Sequence, residues 1–163
     1  MDIRKIYGYA LQREYEGKRF FEHNAERLSS ATALGTFKKL AGEEQKHIEF
    51  IEAQLNSLGT KEISSIDFGI EMENAGFFSL RADSEDIEVT VAESMVADLP
   101  VLRMAYLIER DFSEFYEMAA SKADGEARAV LEMLARWERV HEALFKRLHD
   151  RAFEEYARMP WGG

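Results

Sequence analysis

Six side chains have a chemistry that does not suit their place in the pattern. Glu44 and His47 fall on the apolar stripe Phe37, Leu40, Glu44, His47, Ile51, Leu55, Leu58, whose steps of three and four residues keep one helix face toward a core. Glu138 and His141 do the same in Ala127, Leu131, Leu134, Glu138, His141, Phe145, Leu148. Glu and His three apart stand on one face, one turn apart. Glu14 interrupts the stripe Ile3, Tyr7, Ala10, Glu14, Gly17, Phe21, Ala25, Leu28, and Glu109 interrupts Leu102, Ala105, Glu109, Phe112, Tyr116, Ala119, Ala123. A buried carboxylate beside a buried imidazole is costly unless something compensates it, and a metal ion is the usual compensation.

The two halves of the chain match. Glu14 to Glu44 is 44 − 14 = 30 residues, and Glu109 to Glu138 is 138 − 109 = 29. Each half reads as a lone Glu, a turn, then Glu-x-x-His, an internal repeat of a helical hairpin. Two such hairpins placed face to face bring four carboxylates and two imidazoles together. Two divalent ions neutralise four carboxylates, and oxygen with nitrogen donors suits iron or manganese. A single Glu-x-x-His in a chain that is 32% charged carries little weight; the joint pattern carries the argument. Tyr116 lies two turns after Glu109, where Phe21 follows Glu14; it is a candidate proton or electron donor, set against the commoner role of core filling. His23 and His149 fall beside their stripes as surface or structural residues, and Glu16 points away from Glu14. Asp111 could orient a ligand histidine, though an exposed carboxylate is the commoner reading. Trp137 is expected to pack between helices.

The elements that must carry these residues are four helices, over about 3–28, 32–58, 100–123 and 126–156, in one domain spanning 1–163. Thr32 is expected to cap the second helix and Gly59 to end it. Pro100 suits the first turn of the third. Asp124 and Gly125 form the last turn. The stretch 59–99 reads as a long crossover with some structure of its own, in which Phe77 and Phe78 pack onto the bundle. The fold class is all-α, a four-helix bundle of two hairpins joined by this crossover.

Composition agrees and excludes several functions. The chain has 163 residues, 2 prolines and no cysteine. That length suits one domain with a full core, and the missing cysteines remove disulfides, thiolate zinc and iron–sulfur clusters. A formal charge of −10, from 31 acidic and 21 basic residues, makes nucleic acid and anionic membranes poor partners. Met1 to Gln12 has no apolar run of signal-peptide type and no stretch approaches transmembrane length, so a soluble, cytoplasmic protein is expected.

Four segments together resemble the rubrerythrin-like branch of the ferritin-like superfamily: Glu14-Tyr-Glu-Gly-Lys-Arg-Phe-Phe21, Glu44-Gln-Lys-His47, Glu109-Arg-Asp-Phe-Ser-Glu-Phe-Tyr116 and Glu138-Arg-Val-His141. They cover all four expected helices. The resemblance implies a ferritin-like bundle with two non-haem iron ions (manganese or a mixed pair being possible) on Glu14, Glu44, His47, Glu109, Glu138 and His141, with Glu44 and Glu109 the better candidates for bridging or mobile carboxylates. It implies reduction of hydrogen peroxide, or of dioxygen, with electrons from an external donor. Two departures stand out. The four-cysteine rubredoxin-like site of full-length rubrerythrins has no counterpart here. The extra glutamate those proteins carry one turn after the helix-three ligand is Phe112, which brings the six-ligand set closer to that of bacterioferritin. The alternatives are a ferroxidase that stores or handles iron, and a non-enzymatic bundle that uses metal for stability. A homodimer is expected for any of these, since bundles often pair through an apolar helix face.

Overall fold

A computed structural model describes residues 2–58 and 94–160. The elements are α1 (Ile3–Ala25), α2 (Ala31–Ser57), a short 3-10 turn (Val96–Asp98), α3 (Leu99–Ala120) and α4 (Gly125–Arg158). All regular structure among the described residues is helical. Most of the expected crossover, with Phe77, Phe78 and Gly59, lies outside them. No helix among the described residues is long and apolar enough to cross a membrane.

The helix ends follow local chemistry and correct two expectations. The Asp2 side chain accepts from Lys5 N and starts α1. α1 stops at Ala25, before the expected Leu28, because the chain tightens: Arg27 N donates to Asn24 O and Leu28 N to Ala25 O. Leu28 still packs into the core. The cap of α2 is Ser30, not Thr32, with its Oγ accepting from Ala33 N at 3.4 Å. Asp98 precedes α3 but does not cap it. Its buried carboxylate accepts instead from Ser29 N at 2.8 Å and Ser30 N at 3.0 Å. One acid thereby ties the α1–α2 turn to the start of α3. Between α3 and α4 the chain reverses at Gly125, whose φ of +58° lies in the left-handed region that glycine tolerates.

α1 packs chiefly along α2, and α3 along α4, so the two hairpins of the sequence repeat are also the two packing units. They meet along two seams, α1 against α3 and α2 against α4. The apolar interior is divided in two. One cluster gathers Phe21, Phe37, Leu40, Leu102, Phe145 and Leu148. Its centre is an aromatic triad in which Phe21 stacks on Phe145 at 5.3 Å and Phe37 meets both rings edge-on. The other gathers Tyr7, Phe50, Ile51, Leu131, Leu134 and Trp137. Full burial of each such side chain contributes about 1.5–3 kcal/mol. Between the clusters lies one charged layer, and it holds the six residues that broke the stripes.

Candidate metal centre

All six side chains converge. Glu14 and Glu109 enter from the lone-glutamate helices α1 and α3, while α2 brings Glu44 with His47 and α4 brings Glu138 with His141. None is more than 2% exposed. They form two overlapping sets of four whose donor atoms lie within 4.8 Å of one another: Glu14, Glu44, His47, Glu138, and Glu44, Glu109, Glu138, His141. Ions bound by oxygen and nitrogen hold donors at about 2.0–2.2 Å, so opposite donors stand about 4 Å apart; both sets have the size of one ion's shell. Glu44 and Glu138 belong to both sets, and Glu109 to one. This corrects the expected bridging pair: the shared carboxylates are the two from the Glu-x-x-His motifs.

The imidazoles lie nearly parallel across the layer, with ring centroids 5.3 Å apart. His47 Nδ1 stands 2.9 Å from Glu138 Oε1, 3.2 Å from Glu14 Oε2 and 3.9 Å from Glu44 Oε2. His141 Nδ1 stands 3.4 to 3.6 Å from oxygens of Glu44, Glu138 and Glu109. Two donors about 2.1 Å from a common ion and at right angles to each other would be about 3 Å apart, which is the spacing of the closest contacts.

The fit to a cation can be judged from buried atoms that lack partners. Both carboxylate oxygens of Glu44, Glu109 and Glu138 are buried without a hydrogen-bond partner, as is His141 Nδ1. Native interiors leave few such groups, and each costs about 1–3 kcal/mol, more when charged. Seven orphaned acceptor or donor atoms aimed at one place are what cations would satisfy, and the residues present fit a pair of them.

The same crowding sets the protonation states. Burial, then repulsion from Glu138 and Glu44, pushes the Glu14 and Glu109 carboxyls well above the usual range. Burial opposes charge on His47, but Glu138 and Glu14 outweigh it and raise its pKa well above the ordinary imidazole value. His141 is raised in the same way, with the nearby carboxylates of Glu109, Glu138 and Glu43 overcoming burial. Burial also acts to raise Glu138, yet His47 and His141 hold it below the carboxylate range. Tyr116, fully buried, donates its hydroxyl to Glu14 Oε1. Burial and the Glu14 charge push its pKa well up, so Oη keeps its proton.

The sequence reading missed Glu43. It is 5% exposed, and His141 Nε2 donates to its Oε2 at 2.8 Å. That bond fixes the tautomer that leaves Nδ1 free for an ion. Its spacing from Leu40 and His47 allows an inward position but does not call for one, because the stripe already takes its neighbour Glu44. Asp111, the expected orienting acid, is exposed, as are His23 and Glu16. His149 is half-buried, beside Asp150 and against Tyr106. Trp137 is buried between helices and stacks on His47 at 5.0 Å.

Comparison with curated proteins and with solved structures gives no match. The rubrerythrin family profile matches residues 5–149, a span running from the first turns of α1 to beyond the last of the six convergent residues. With two Glu-x-x-His hairpins closing on one charged layer inside that span, the chain belongs to the rubrerythrin family, a ferritin-like di-iron family.

Proposed function

We propose that this chain holds two iron ions on Glu14, Glu44, His47, Glu109, Glu138 and His141 and reduces hydrogen peroxide with electrons from an external donor. The observation that carries the reading is the pair of four-residue sets sharing Glu44 and Glu138, a layout for two adjacent ions. Two ions that each change charge by one supply the two electrons that turn one peroxide and two protons into two waters.

The chain's residues supply the rest. The Tyr116 hydroxyl holds a proton at Oη, hydrogen-bonded to Glu14 Oε1 at the edge of the layer. Glu43 orients His141, and Trp137 holds the His47 ring in plane by stacking. The two apolar clusters exclude bulk water, which strengthens every interaction within the layer. The six convergent residues include no thiolate or other redox-active side chain, and we assign the electrons to an external donor, a protein or a small molecule. We place the protein in the cytoplasm and expect a homodimer.

The test loads metal-free protein with ferrous iron without air, then mixes it rapidly with peroxide or with dioxygen. Two irons per chain and faster oxidation by peroxide are expected. Preference for dioxygen with continued uptake of iron would replace this reading by ferroxidase and storage. Binding that raises the melting temperature without any reaction would leave a metal-stabilised bundle. Fewer than two ions per chain would overturn the site itself.

A further inference from the structure

The six convergent side chains are sealed in, at 2% exposure or less. Anything that reaches them must move part of the wall. On the α2–α4 seam the wall is pinned by the Glu43–His141 hydrogen bond and by Trp137, stacked on His47 and packed against Phe50 at 5.1 Å. On the α1–α3 seam Tyr116 is pinned by Glu14. Moving Glu43 or Tyr116 would strand a buried polar partner.

Phe112 differs. Its ring is 4% exposed, so it sits at the boundary between solvent and the charged layer. The internal repeat pairs it with Gly17, because each follows its lone glutamate by three residues. One half therefore has a phenyl ring where the other has no side chain. A Cβ on Gly17 would lie 3.0 Å from Phe112 Cε2 and 3.3 Å from Glu44 Oε2. The ring edge and a shared carboxylate thus border the same notch in α1. On its other side the ring carries the Arg13 guanidinium, 4.5 Å from the ring centroid. Arg13 is half-buried and its Nε makes no hydrogen bond. Exposure falls in order from Arg13 to Phe112 to Glu44.

We propose that Phe112 is the door of the metal centre: small solutes reach Glu44 through the α1–α3 seam when the ring swings out of the Gly17 notch from beneath Arg13. The swing breaks no hydrogen bond, and Gly17 puts no side chain against the ring edge. The inference rests on the metal reading above.

A door changes the rates of entering and leaving by the same factor and leaves the equilibrium between the two states alone. A residue that shapes the site changes the equilibrium. Cobalt(II) is the probe, its uptake by metal-free protein followed by absorbance and its release by trapping with excess chelator. For Phe112→Ala, uptake and release both rise by about tenfold or more, the effect of a barrier lowered by one decade in rate, while the dissociation constant stays put. Phe112→Leu, which keeps most of the packing, gives a smaller rise in both. Phe37→Leu, in the other apolar cluster, leaves both rates unchanged. Unchanged rates in both Phe112 variants, on a protein that takes up two cobalt ions, would overturn the door alone. So would a weaker dissociation constant carried by release only, or an equal acceleration in Phe37→Leu. Failure of the wild type to take up two ions would overturn the metal reading and the door with it.

Discussion

Filling the charged layer with metal should expel protons, and the number follows from the structure. A ligand must lose its proton to bind an ion. In the metal-free protein Glu14 and Glu109 are pushed toward the protonated form, and His47 and His141 toward imidazolium. Each set of four contains one of these carboxyls and one of these imidazoles: Glu14 with His47, and Glu109 with His141. The expectation is therefore about two protons released per ion and about four per chain. Each proton makes binding about tenfold tighter per pH unit, so apparent affinity should rise about 100-fold per unit, about 2.7 kcal/mol per ion. The sign for folding is opposite. A group whose pKa is raised in the folded state stabilises the fold below its unfolded value, and that contribution is lost as pH rises through the folded value. The metal-free protein should thus weaken on going from mildly acidic toward alkaline pH, by about 1.4 kcal/mol per unit for each proton retained. At Glu14 and Glu109 burial and like-charge repulsion outweigh ion pairing, which reverses the usual behaviour of native carboxylates. Calorimetric titration of metal-free protein with manganese(II), in buffers of different ionisation enthalpy, counts the protons directly. Fewer than one proton per ion, or a metal-free melting temperature that climbs steadily from mildly acidic to alkaline pH, would refute the reasoning.

Three further outcomes are expected. Glu43→Leu removes the acceptor on His141 Nε2 and should weaken metal binding about 10- to 100-fold in competition with a chelator, with helicity unchanged; equal affinity would deny Glu43 its orienting part. Tyr116→Phe leaves Glu14 Oε1 without its donor and should cost the metal-free protein about 1–3 kcal/mol in denaturant unfolding, while slowing oxidation of the loaded protein by peroxide more than by an outer-sphere oxidant. Asp98→Ala strands the Ser30 N–H, buried at the α1–α2 turn, and should lower stability by about 1–3 kcal/mol while leaving two ions per chain; loss of metal instead would show that the turn and the centre are coupled.

Much of this arrangement is legible in the sequence. The helices follow from a 3.6-residue period unbroken by proline, and their ends move only by the reach of local bonds, as when Ser30 caps α2 in place of Thr32. Glu14, Glu44, His47, Glu109, Glu138 and His141 are legible because each breaks an apolar stripe. Glu43 is not, because adjacent residues on a helix point about 100° apart. A pattern that places Glu44 inside assigns its neighbour to the surface. What brings Glu43 inside is the need of His141, on another helix, for an acceptor, and no spacing within α2 encodes that. Phe112 and Arg13 show the same limit. Both read as ordinary helix residues, and only the packing of α1 against α3 makes them a wall.

The sharing of Glu44 and Glu138 was within reach of the sequence. The repeat maps Glu14 onto Glu109 and Glu44 onto Glu138. Two like hairpins facing one another are related by an approximate two-fold axis, and a pair of groups shared between two equivalent positions must itself be exchanged by that axis. Glu44 with Glu138 meets the condition, as would Glu14 with Glu109; Glu44 with Glu109 does not, because the repeat never carries one onto the other. The structure chooses between the two allowed pairs through the histidines. Each imidazole is one turn from the glutamate of its own motif and faces that of the other hairpin: His47 stands 2.9 Å from Glu138, and His141 stands 3.4 Å from Glu44. The motif glutamates therefore occupy the midline between the rings, and Glu14 and Glu109 lie one on either side. The same axis relates Glu43 to Trp137 and Gly17 to Phe112. The places where the repeat is broken are an acid against an indole beside the histidines, and a glycine against a phenyl ring at the seam. The equivalent residues would build two alike ion positions, and these two mismatches make them unlike, one histidine held by a hydrogen bond and the other by stacking, one lone glutamate followed by a glycine and the other by a phenyl ring.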